Sequence, residues 1–345
     1  MARVGIVGGG AFGTALACVM RRRGHDIVLW AREPEVVEAI NRHRENPRYL
    51  RGVALPDGIT ATGDPAEAVR QAAFVLLAPP AQFMRAVSAS LAPHLAGGVP
   101  LITCSKGLEL GSCALMSQVL AETLPGAPVA VLSGPSFAAE IAAGLPTAVT
   151  LACADPALAT RLAGEIEGPT FRACLSDDAT GAQVGGALKN VIAIACGMAA
   201  GLRLGGGMRA TLLARGLAET VDLGLALGAR LETFLGLSGI GDMDLSCNSA
   251  QSRNTSLGMA LGEGRSLAEV LGSRVTVQEG VHSVGAVTAL AARLGVGMPV
   301  ATLVDRVVNR GAAPADEIAA LLRQPFGVEC AVVAWLRRGI GTGLD

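Results

Sequence analysis

The chain has 345 residues, 51% of them hydrophobic, so it is long enough for two domains and a large buried core. Only 17% of the residues are charged and the formal net charge is −1, without the basic excess that a nucleic-acid-binding protein normally carries. The eight cysteines show no CxxC spacing, which favours buried free thiols in a reducing compartment over a disulfide framework or a metal site. We therefore predict neither a nucleic-acid partner nor a bound metal.

The first apolar stretch is a candidate membrane segment. Residues 4–20 are uncharged, and three arginines follow at 21–23. A signal peptide carries its positive charge before the apolar stretch, not after it. Five of these seventeen residues are glycine, and seventeen residues are barely enough to cross a bilayer. We expect no membrane span.

The N-terminal segment predicts a dinucleotide-binding unit. An apolar strand at 4–7 is followed at once by Gly8-Gly9-Gly10-Ala11-Phe12-Gly13, then by a helix that stops at Gly24 and by a second strand at 26–30. GxGxxG is informative in this context, because Gly8 permits a tight turn, Gly10 lets the backbone approach a pyrophosphate and Gly13 lets the helix pack on the strand. The helix N-terminus adds N–H donors and a partial positive charge.

The end of the second strand bears on the choice of cofactor. NAD-specific folds usually place an acidic residue there for the ribose hydroxyls, whereas an arginine can accept a 2′-phosphate. This chain has Arg32, followed by Glu33. Arg32 favours NADP or acceptance of both cofactors; a solvated surface arginine is the alternative.

Further strands are predicted at 74–78, 101–104, 129–132, 148–152 and 170–174. Most are continuously apolar, as expected for a parallel sheet covered on both faces. Ligands bind at the carboxyl ends of such strands, where residues 105–109 and 133–138 follow. From about residue 178 the strand signals fade and helical stretches continue. We predict an α/β Rossmann-type domain over 1–178 and an all-α domain over 179–340, with residues 341–345 as a loose end.

One charged residue interrupts an apolar helix predicted at 178–202. Lys189 is the only charge after Asp178, which is suited to capping the helix. Five glycines cost this helix roughly 1 kcal/mol each relative to alanine, so they serve either tight backbone packing or close approach of a ligand. Small residues share the face of Lys189, which predicts a groove with the ammonium group at its floor. Lys189 either acts in proton transfer or, alternatively, reaches solvent or makes a structural ion pair.

Possible partners of this lysine lie later in the chain. Asp242 stands in a glycine turn between apolar residues, which is unusual for a solvated carboxylate. Arg253 is flanked by Ser252 and Asn254, and a guanidinium beside hydroxyl and amide groups suits a phosphate; a plain surface loop is the alternative. Glu279 precedes a glycine and is either part of the site or a capping or solvated residue.

The ordered segments GGGAFGTALA, LITCSKGLE, LSGPSFAAEIAAGLPTA, GGALKNVIAIACGM, GLSGIGDMDLSC, QSRN and VQEG resemble the bacterial-type NAD(P)-dependent glycerol-3-phosphate dehydrogenases over residues 4 to about 300. This resemblance implies the NAD(P)H-dependent, reversible reduction of dihydroxyacetone phosphate to sn-glycerol 3-phosphate, a precursor of membrane lipids. It also implies a cytoplasmic enzyme that is commonly a homodimer.

The resemblance assigns roles by position. Lys189 matches the proton donor and acceptor. Residues matched to the substrate are Lys106, Gly134, Ser136, Lys189, Asp242, Ser252, Arg253 and Asn254. Residues matched to the cofactor are Gly8, Gly10, Ala11, Phe12, Gly13, Arg32, Lys106, Ala138, Arg253, Val277 and Glu279. Ala11 departs from the family, which usually has serine there, so one hydroxyl contact to the cofactor is lost.

The expected mechanism follows. Lys189 donates a proton to the carbonyl oxygen of the substrate, and Asp242 orients the ammonium group. Lys106 and residues 252–254 hold the phosphate. The glycines beside Lys189 let substrate and nicotinamide come close. A β-hydroxyacid or 6-phosphogluconate dehydrogenase shares the general plan, but that group typically carries an asparagine four residues after the lysine, where this chain has Ala193. A non-catalytic NADP-binding regulator is the third interpretation.

Overall fold

The computed structural model describes residues 1–272 and 277–324. The N-terminal part is built on one eight-stranded sheet. Its strands are β1 (Arg3–Val7), β2 (Asp26–Trp30), β3 (Ile59–Thr62), β4 (Phe74–Leu77), β5 (Leu101–Thr103), β6 (Val129–Ser133), β7 (Thr147–Ala152) and β8 (Phe171–Ser176). Spatially they run in the order β3-β2-β1-β4-β5-β6-β7-β8. The predicted Rossmann-type α/β architecture followed by helices is confirmed.

The sheet departs from the prediction in two places. The strand β3 was not predicted, because its sequence ITAT carries two threonines and lacks the apolar run of its neighbours. β7 runs antiparallel to β6, with Val131 opposite Ala152, whereas every other adjacent pair is parallel. The strand order reverses between β1 and β4, which is where an open α/β sheet leaves a crevice for a ligand.

Helices cover both faces of the sheet and then form a second core. Those between the strands are α1 (Ala11–Arg22), α2 (Pro34–His43), α3 (Pro65–Val69), α4 (Met84–Leu91), α5 (Met116–Thr123), α6 (Ala138–Ala143) and α7 (Pro156–Ile166). After the sheet come α8 (Ala179–Gly201), α9 (Gly205–Ala226), α10 (Leu231–Phe234), α11 (Asp242–Asn248), α12 (Arg253–Gly262), α13 (Leu267–Gly272), α14 (Glu279–Leu294), α15 (Pro299–Arg310) and α16 (Pro314–Arg323). A 3-10 turn spans Ala81–Phe83 and a π-type turn spans Leu237–Gly241.

The helix α8 is the centre of the second core. Its predicted cap is confirmed, because the Asp178 side chain accepts a hydrogen bond from the N–H of Gly181 at 2.8 Å. By length and composition, α8 alone among the described helices could cross a membrane. However, 83% of its most apolar 18-residue stretch is buried inside the protein. It therefore serves as a core helix, against which α9, α11, α12 and α14 pack.

The glycines of α8 do not leave a groove, so that prediction is wrong. A Cβ at Gly185 would overlap the carbonyl oxygen of Ser238, and one at Gly186 would lie 2.8 Å from Oγ of Ser133. Gly197 and Gly201 face α12, whose Gly258 and Gly262 face them in return. Gly197 and Gly201 thus let the backbones of α8 and α12 pack together, while Gly185 and Gly186 allow close contact with the turn at Ser238 and with Ser133 of β6. Tight packing, one of the two predicted uses of these glycines, is the one observed.

The cysteines match the predicted free thiols in most cases. Six of the seven cysteines in the described residues are buried, and Cys174 is exposed on β8. All seven are free. Cys330, the predicted end of the helical domain at 340 and the predicted loose end at 341–345 lie outside the described residues.

Candidate active site

The glycine turn between β1 and α1 contains positions with no space for a side chain and one position whose backbone is accessible. Gly8 has φ +122°, and a Cβ there would lie 2.7 Å from the backbone of Ala78, at the end of β4. A Cβ at Gly13 would overlap the carbonyl oxygen of Gly8. At Gly10 a Cβ would meet nothing within 4 Å. The chain thus folds tightly on either side of Gly10 and leaves its backbone accessible from the crevice, with Ala11 and Phe12 half-buried at the start of α1.

Asn46 supports this turn and was not predicted as a site residue. It is fully buried, and its Nδ2 donates to the carbonyl oxygen of Gly9 at 2.9 Å and to Oγ1 of Thr14 at 2.8 Å. Its Oδ1 accepts from the N–H of Tyr49 at 3.1 Å. Because Asn46 stands in a polar loop far from the glycines in sequence, no local signal identifies it.

Arg32 lies where the sequence predicts, just after β2, and points to solvent. Its side chain is 70% exposed and donates to Oε1 of Glu33 at 2.8 Å. Tyr49 donates to the same carboxylate oxygen at 3.1 Å. The guanidinium is thus accessible just after the carboxyl end of β2, with its charge partly balanced by Glu33.

Two lysines share one buried carboxylate at the other side of the crevice. Lys189 donates from Nζ to Oδ1 of Asp242 at 2.8 Å and to Oγ of Ser246 at 2.9 Å. Lys106 donates to Oδ2 of the same carboxylate at 2.6 Å. The Asp242 side chain is 1% exposed, whereas those of Lys189 and Lys106 are 13% and 14% exposed. The two ammonium groups are therefore held together and remain within reach of a ligand.

The electrostatics of this cluster favour a charged carboxylate. Burial by itself would raise the pKa of Asp242, but the charges of Lys106 and Lys189 outweigh it and hold that pKa below its usual range. Burial lowers the pKa of Lys106 to about 8. The negative charge of Asp242 opposes this shift, whereas the positive charge of Lys189 adds to it. Lys106 is thus still protonated at neutral pH, and the cluster carries one excess positive charge.

The segment after β6 connects Lys106 to the sheet. The carbonyl oxygen of Gly134 accepts from Nζ of Lys106 at 2.9 Å and from Oγ of Ser136 at 2.8 Å. Gly134 has φ +141°, and a Cβ there would lie 3.0 Å from Cα of Val149. A side chain at this position would displace β7, so glycine is required. Ala138 follows as the first residue of α6, half-buried against the core beside α1.

Two further residues, which were not predicted as site residues, fix the loop that carries Lys106. Gln82 donates to the carbonyl oxygen of Leu108 at 2.8 Å and accepts from the N–H of Leu110 at 2.9 Å. Arg85 makes two hydrogen bonds of 2.8 Å to the carboxylate of Glu109. Paired contacts of this kind restrict both distance and orientation, so the loop presents Lys106 in a defined position.

Residues 252–254 begin α12. Ser252 caps the helix by accepting from the N–H of Thr255 at 3.3 Å. The Asn254 amide is buried and bonded at both ends, to Asn190 and to Gly280. Arg253 beside it is exposed over part of its surface, but the surrounding protein still desolvates its guanidinium and lowers its pKa, and the nearby charge of Glu279 opposes this shift. Neither Ser252 nor Asn254 is thus a plain surface residue.

Glu279 is the first residue of α14 and lies against the sheet domain. Its Oε1 accepts from the N–H of Ala81 at 3.2 Å, while Oε2 is buried with no hydrogen-bond partner in the described part of the chain. Burial raises the pKa of Glu279 to about 7, and the Ala81 hydrogen bond and the charge of Arg253 oppose the rise. Val277 is half-buried two residues before it.

The structure brings the two halves of the predicted site together. Nζ of Lys106 lies 5.8 Å from the centre of the Phe12 ring, so the lysine cluster adjoins the glycine turn. Arg32 stands apart, at the end of β2. Ser246 and Asn190 were not predicted as site residues, although Asn190 directly follows Lys189 and Ser246 lies four residues after Asp242 on α11.

An accessible strand-to-helix turn at the switch point of a parallel sheet binds dinucleotides, and an ammonium group beside it can exchange a proton with a substrate. Together they place the chain among the nicotinamide-dinucleotide-dependent dehydrogenases. Family sequence models agree: the NAD-dependent glycerol-3-phosphate dehydrogenase N-terminus matches residues 3–159 and the C-terminus of the same family matches residues 178–319. The chain belongs to the NAD-dependent glycerol-3-phosphate dehydrogenase family.

Individual relatives support this membership over nearly the full chain. The chain is 54% identical over 327 residues to glycerol-3-phosphate dehydrogenase [NAD(P)+] of Parvibaculum lavamentivorans, covering 95% of this chain and 98% of the relative. It is 53% identical over 326 residues to the enzyme of the same name from Rhodospirillum rubrum, covering 94% and 93%. The crystal structure of glycerol-3-phosphate dehydrogenase from Coxiella burnetii superposes with a TM-score of 0.91 at 34% identity, covering 94% and 99%.

Proposed function

We propose that this chain catalyses the reversible NAD(P)H-dependent reduction of dihydroxyacetone phosphate to sn-glycerol 3-phosphate. The observation that carries the proposal is the pair of ammonium groups of Lys106 and Lys189 on the single carboxylate of Asp242, beside Phe12 of the glycine turn. One ammonium group would serve the ketone oxygen and the other the phosphate. The relatives named above support this choice of substrate.

The residues of the crevice fit a nicotinamide dinucleotide. The backbone at Gly10 is accessible, the N-terminus of α1 favours a pyrophosphate, and the orphaned Oε2 of Glu279 is a buried acceptor suited to a ligand donor. When bound, the cofactor supplies a hydride to the ketone carbon. We assign its binding to Gly8, Gly10, Ala11, Phe12, Gly13, Arg32, Lys106, Ala138, Arg253, Val277 and Glu279.

Lys189 is the proposed proton donor. Its ammonium group donates to Asp242 and Ser246, which leaves its third hydrogen for the carbonyl oxygen of the substrate. Negative charge develops on that oxygen as the ketone becomes an alkoxide, and a positioned ammonium stabilises this charge and then transfers the proton. Asp242 stays ionised, because Lys106 and Lys189 hold its pKa down and Lys106 remains bound to it after Lys189 has given up its proton. It therefore orients Lys189 without taking the proton.

Substrate binding is assigned to the cationic and polar groups around the cluster. Lys106 supplies a charge for the phosphate, and Arg253 supplies a planar guanidinium at the start of α12. The other assigned residues are Gly134, Ser136, Ser252 and Asn254. Fixing the phosphate places the carbonyl group near Lys189, which reduces the entropic part of the barrier.

The direct test is a spectrophotometric assay of the purified protein with dihydroxyacetone phosphate and either NADH or NADPH. We expect oxidation of both cofactors, with Arg32 contributing to the use of NADPH. β-Hydroxyacids and 6-phosphogluconate serve as the controls for the rival dehydrogenase reaction and should give no turnover with NAD(P)⁺. Dinucleotide binding without turnover of dihydroxyacetone phosphate would contradict the proposal.

The remaining features are proposed on family grounds. We propose a homodimer in the cytoplasm that supplies glycerophospholipid synthesis, and a division of the chain into a dinucleotide-binding domain over 1–178 and a substrate domain over 179–340. Sedimentation analysis of the purified full chain tests the dimer.

A further inference from the structure

A row of side-chain amides crosses the site beneath the lysines. The N–H of Gly280 donates to Oδ1 of Asn254 at 3.2 Å, and Nδ2 of Asn254 donates to Oδ1 of Asn190 at 2.9 Å. Nδ2 of Asn190 then donates to the carbonyl oxygen of Lys106 at 3.2 Å, with a longer contact of 3.4 Å to the carbonyl of Gly186. We call the Asn190 and Asn254 side chains, with these backbone groups at either end, the amide relay.

The direction of the relay is fixed by its ends. A backbone N–H can only donate, so Oδ1 of Asn254 faces Gly280 and its Nδ2 faces Asn190. A backbone carbonyl can only accept, so Nδ2 of Asn190 faces Lys106. Reversing either amide would place two donors or two acceptors together. Asn190 and Asn254 are 6% and 8% exposed, and buried amides without partners are costly, so the relay holds one arrangement.

Each member of the relay adjoins a residue assigned to the reaction. Asn190 follows Lys189, Asn254 follows Arg253 and Gly280 follows Glu279, while Lys106 is itself an end of the relay. The four segments come from the loop after β5, α8, α12 and α14. They are distant in sequence, and the relay joins them through hydrogen bonds whose donors and acceptors cannot be exchanged.

The packing at Gly280 leaves no room for adjustment. A Cβ there would lie 2.7 Å from the carbonyl oxygen of Asn190 and 2.9 Å from Oδ1 of Asn254. The start of α14 therefore rests directly on α8 and on the relay. A displacement of the Asn190 amide would be transmitted to Gly280, and through it to Glu279.

We propose that Asn190 is a positioning residue, which acts through the amide relay to hold the Lys106 loop, α12 and α14 in register with Lys189. This inference rests on the proposed function and adds to it a residue that needs no contact with the substrate. The position requires a neutral group that accepts from Asn254 and donates to Lys106 at the same time, as the asparagine amide does.

The first test compares Asn190→Ala with a matched control on the same helix. Gln183 is also a buried amide of α8; it accepts from the N–H of Ser117 and donates to the Ser117 hydroxyl, on the side of α5. We expect Asn190→Ala to lower kcat/KM for dihydroxyacetone phosphate about a hundredfold, mainly in kcat, as for a misplaced reacting group. NADH affinity should fall by a smaller factor, because the relay also supports Lys106, Arg253 and Glu279 whereas the glycine turn at Gly8–Gly13 lies outside it. Gln183→Ala should keep normal kinetics even where its melting temperature falls.

The second test uses Asn190→Asp, which preserves shape and removes the donor. As a carboxylate, the side chain can still accept a hydrogen bond from Asn254. Its second oxygen, however, would face the carbonyl oxygens of Lys106 and Gly186 without a hydrogen to donate, so acceptor would meet acceptor. Protonation restores an O–H donor there. We therefore expect the ratio of Asn190→Asp to unaltered kcat/KM to rise as the pH falls from 8 to about 5.5, by up to about tenfold per pH unit. The ratio removes the pH dependence that both proteins share, including that of the surrounding charged groups Lys106, Lys189, Asp242, Arg253 and Glu279. The new carboxylate would raise the pKa of nearby Lys106 and favour the charged form of Lys189. Both effects act above about pH 7 and leave the acid side of the profile to report position 190.

The outcomes separate the two proposals. Turnover of dihydroxyacetone phosphate by the unaltered protein, with loss in Asn190→Ala and recovery of Asn190→Asp at low pH, supports the relay. Normal kinetics in a folded Asn190→Ala, or a pH-independent ratio for Asn190→Asp, overturns it while leaving the proposed function intact. Absence of turnover by the unaltered protein overturns the proposed function itself. If Asn190→Ala does not fold, the pH dependence of Asn190→Asp decides.

Discussion

The glycine turn at residues 8–13 and the glycines of α8 and α12 are alike in sequence and opposite in use. At Gly10 the missing side chain leaves the backbone exposed to the crevice. At Gly197, Gly201, Gly258 and Gly262 the missing side chains let two helices approach until backbone meets backbone. The first region uses glycine for access by a ligand and the second for packing. The composition of a glycine-rich segment does not distinguish these uses; the surroundings of each Cα do.

The sharpest way to separate the two regions is Lys189→Ala, because the proposed proton donor lies on the packed helix and the proposed cofactor site lies at the open turn. We expect turnover to fall by about 10²–10⁴-fold, the usual contribution of a general acid. NADH binding, followed by the fluorescence of the bound cofactor, should be retained. Near-normal turnover in a folded variant would remove Lys189 from the mechanism.

The packing role is tested by Gly258→Ala. The added methyl group would overlap the carbonyl oxygen of Ile194 and lie 2.9 Å from the backbone nitrogen of Met198. Because these are backbone atoms, we expect a loss of about 2 kcal/mol in the free energy of unfolding despite alanine's better helix propensity. Gly164→Ala is the matched control, since Gly164 is exposed in α7 with nothing within 4 Å of a Cβ. That variant should gain up to about 1 kcal/mol; equal effects at both positions would refute the distinction.

The access role is tested by Gly10→Ala. Gly10 has φ −71° and ψ −178°, which alanine adopts without strain, so the free energy of unfolding should change by less than about 1 kcal/mol. The methyl group would enter the space assigned to the pyrophosphate, and we expect NADH affinity to fall about tenfold or more. Calorimetric titration gives this affinity directly, and an unchanged value would show that the turn does not face the cofactor.

The smallest expected effect concerns pH. The pKa of Lys106 is lowered to about 8 by burial, so its ammonium group is present below that pH and is lost as the pH rises through it. We expect KM for dihydroxyacetone phosphate to rise above pH 8, by at most about tenfold per pH unit, as the attraction for the phosphate is lost. Lys106→Arg keeps a permanent charge, so its KM should start higher and stay flat over the same range.

Most of the sheet could be predicted because its signals are local. Continuous apolar runs indicate β1, β2 and β4 to β6, and the Asp178 cap indicates the start of α8. The strand β3 gave no such signal, because its four residues ITAT alternate apolar and polar side chains and form no continuous apolar run. The antiparallel direction of β7 depends on how the chain returns to the sheet edge, which no short segment encodes.

The types of residue that form the candidate site could be predicted from the sequence, but the contacts between them could not. Asp242 stood out as a carboxylate among apolar residues, and it is buried between the two lysines. The covering of Gly185 by Ser238 joins positions more than fifty residues apart, so the expected groove could not be checked from sequence. The same holds for Asn190, whose proposed role depends on four distant segments meeting, and for Asn46, which reaches back to the glycine turn.

The sharing of one carboxylate by two lysines has a practical consequence for the laboratory. With one uncompensated cation below pH about 8, the cluster attracts small dianions in general, including the sulfate and inorganic phosphate of common buffers. Such ions compete with the natural ligand and inflate any apparent Michaelis constant. Kinetics of this protein therefore call for zwitterionic buffers, and inhibition by added sulfate offers a simple measure of how strongly the lysines hold an anion.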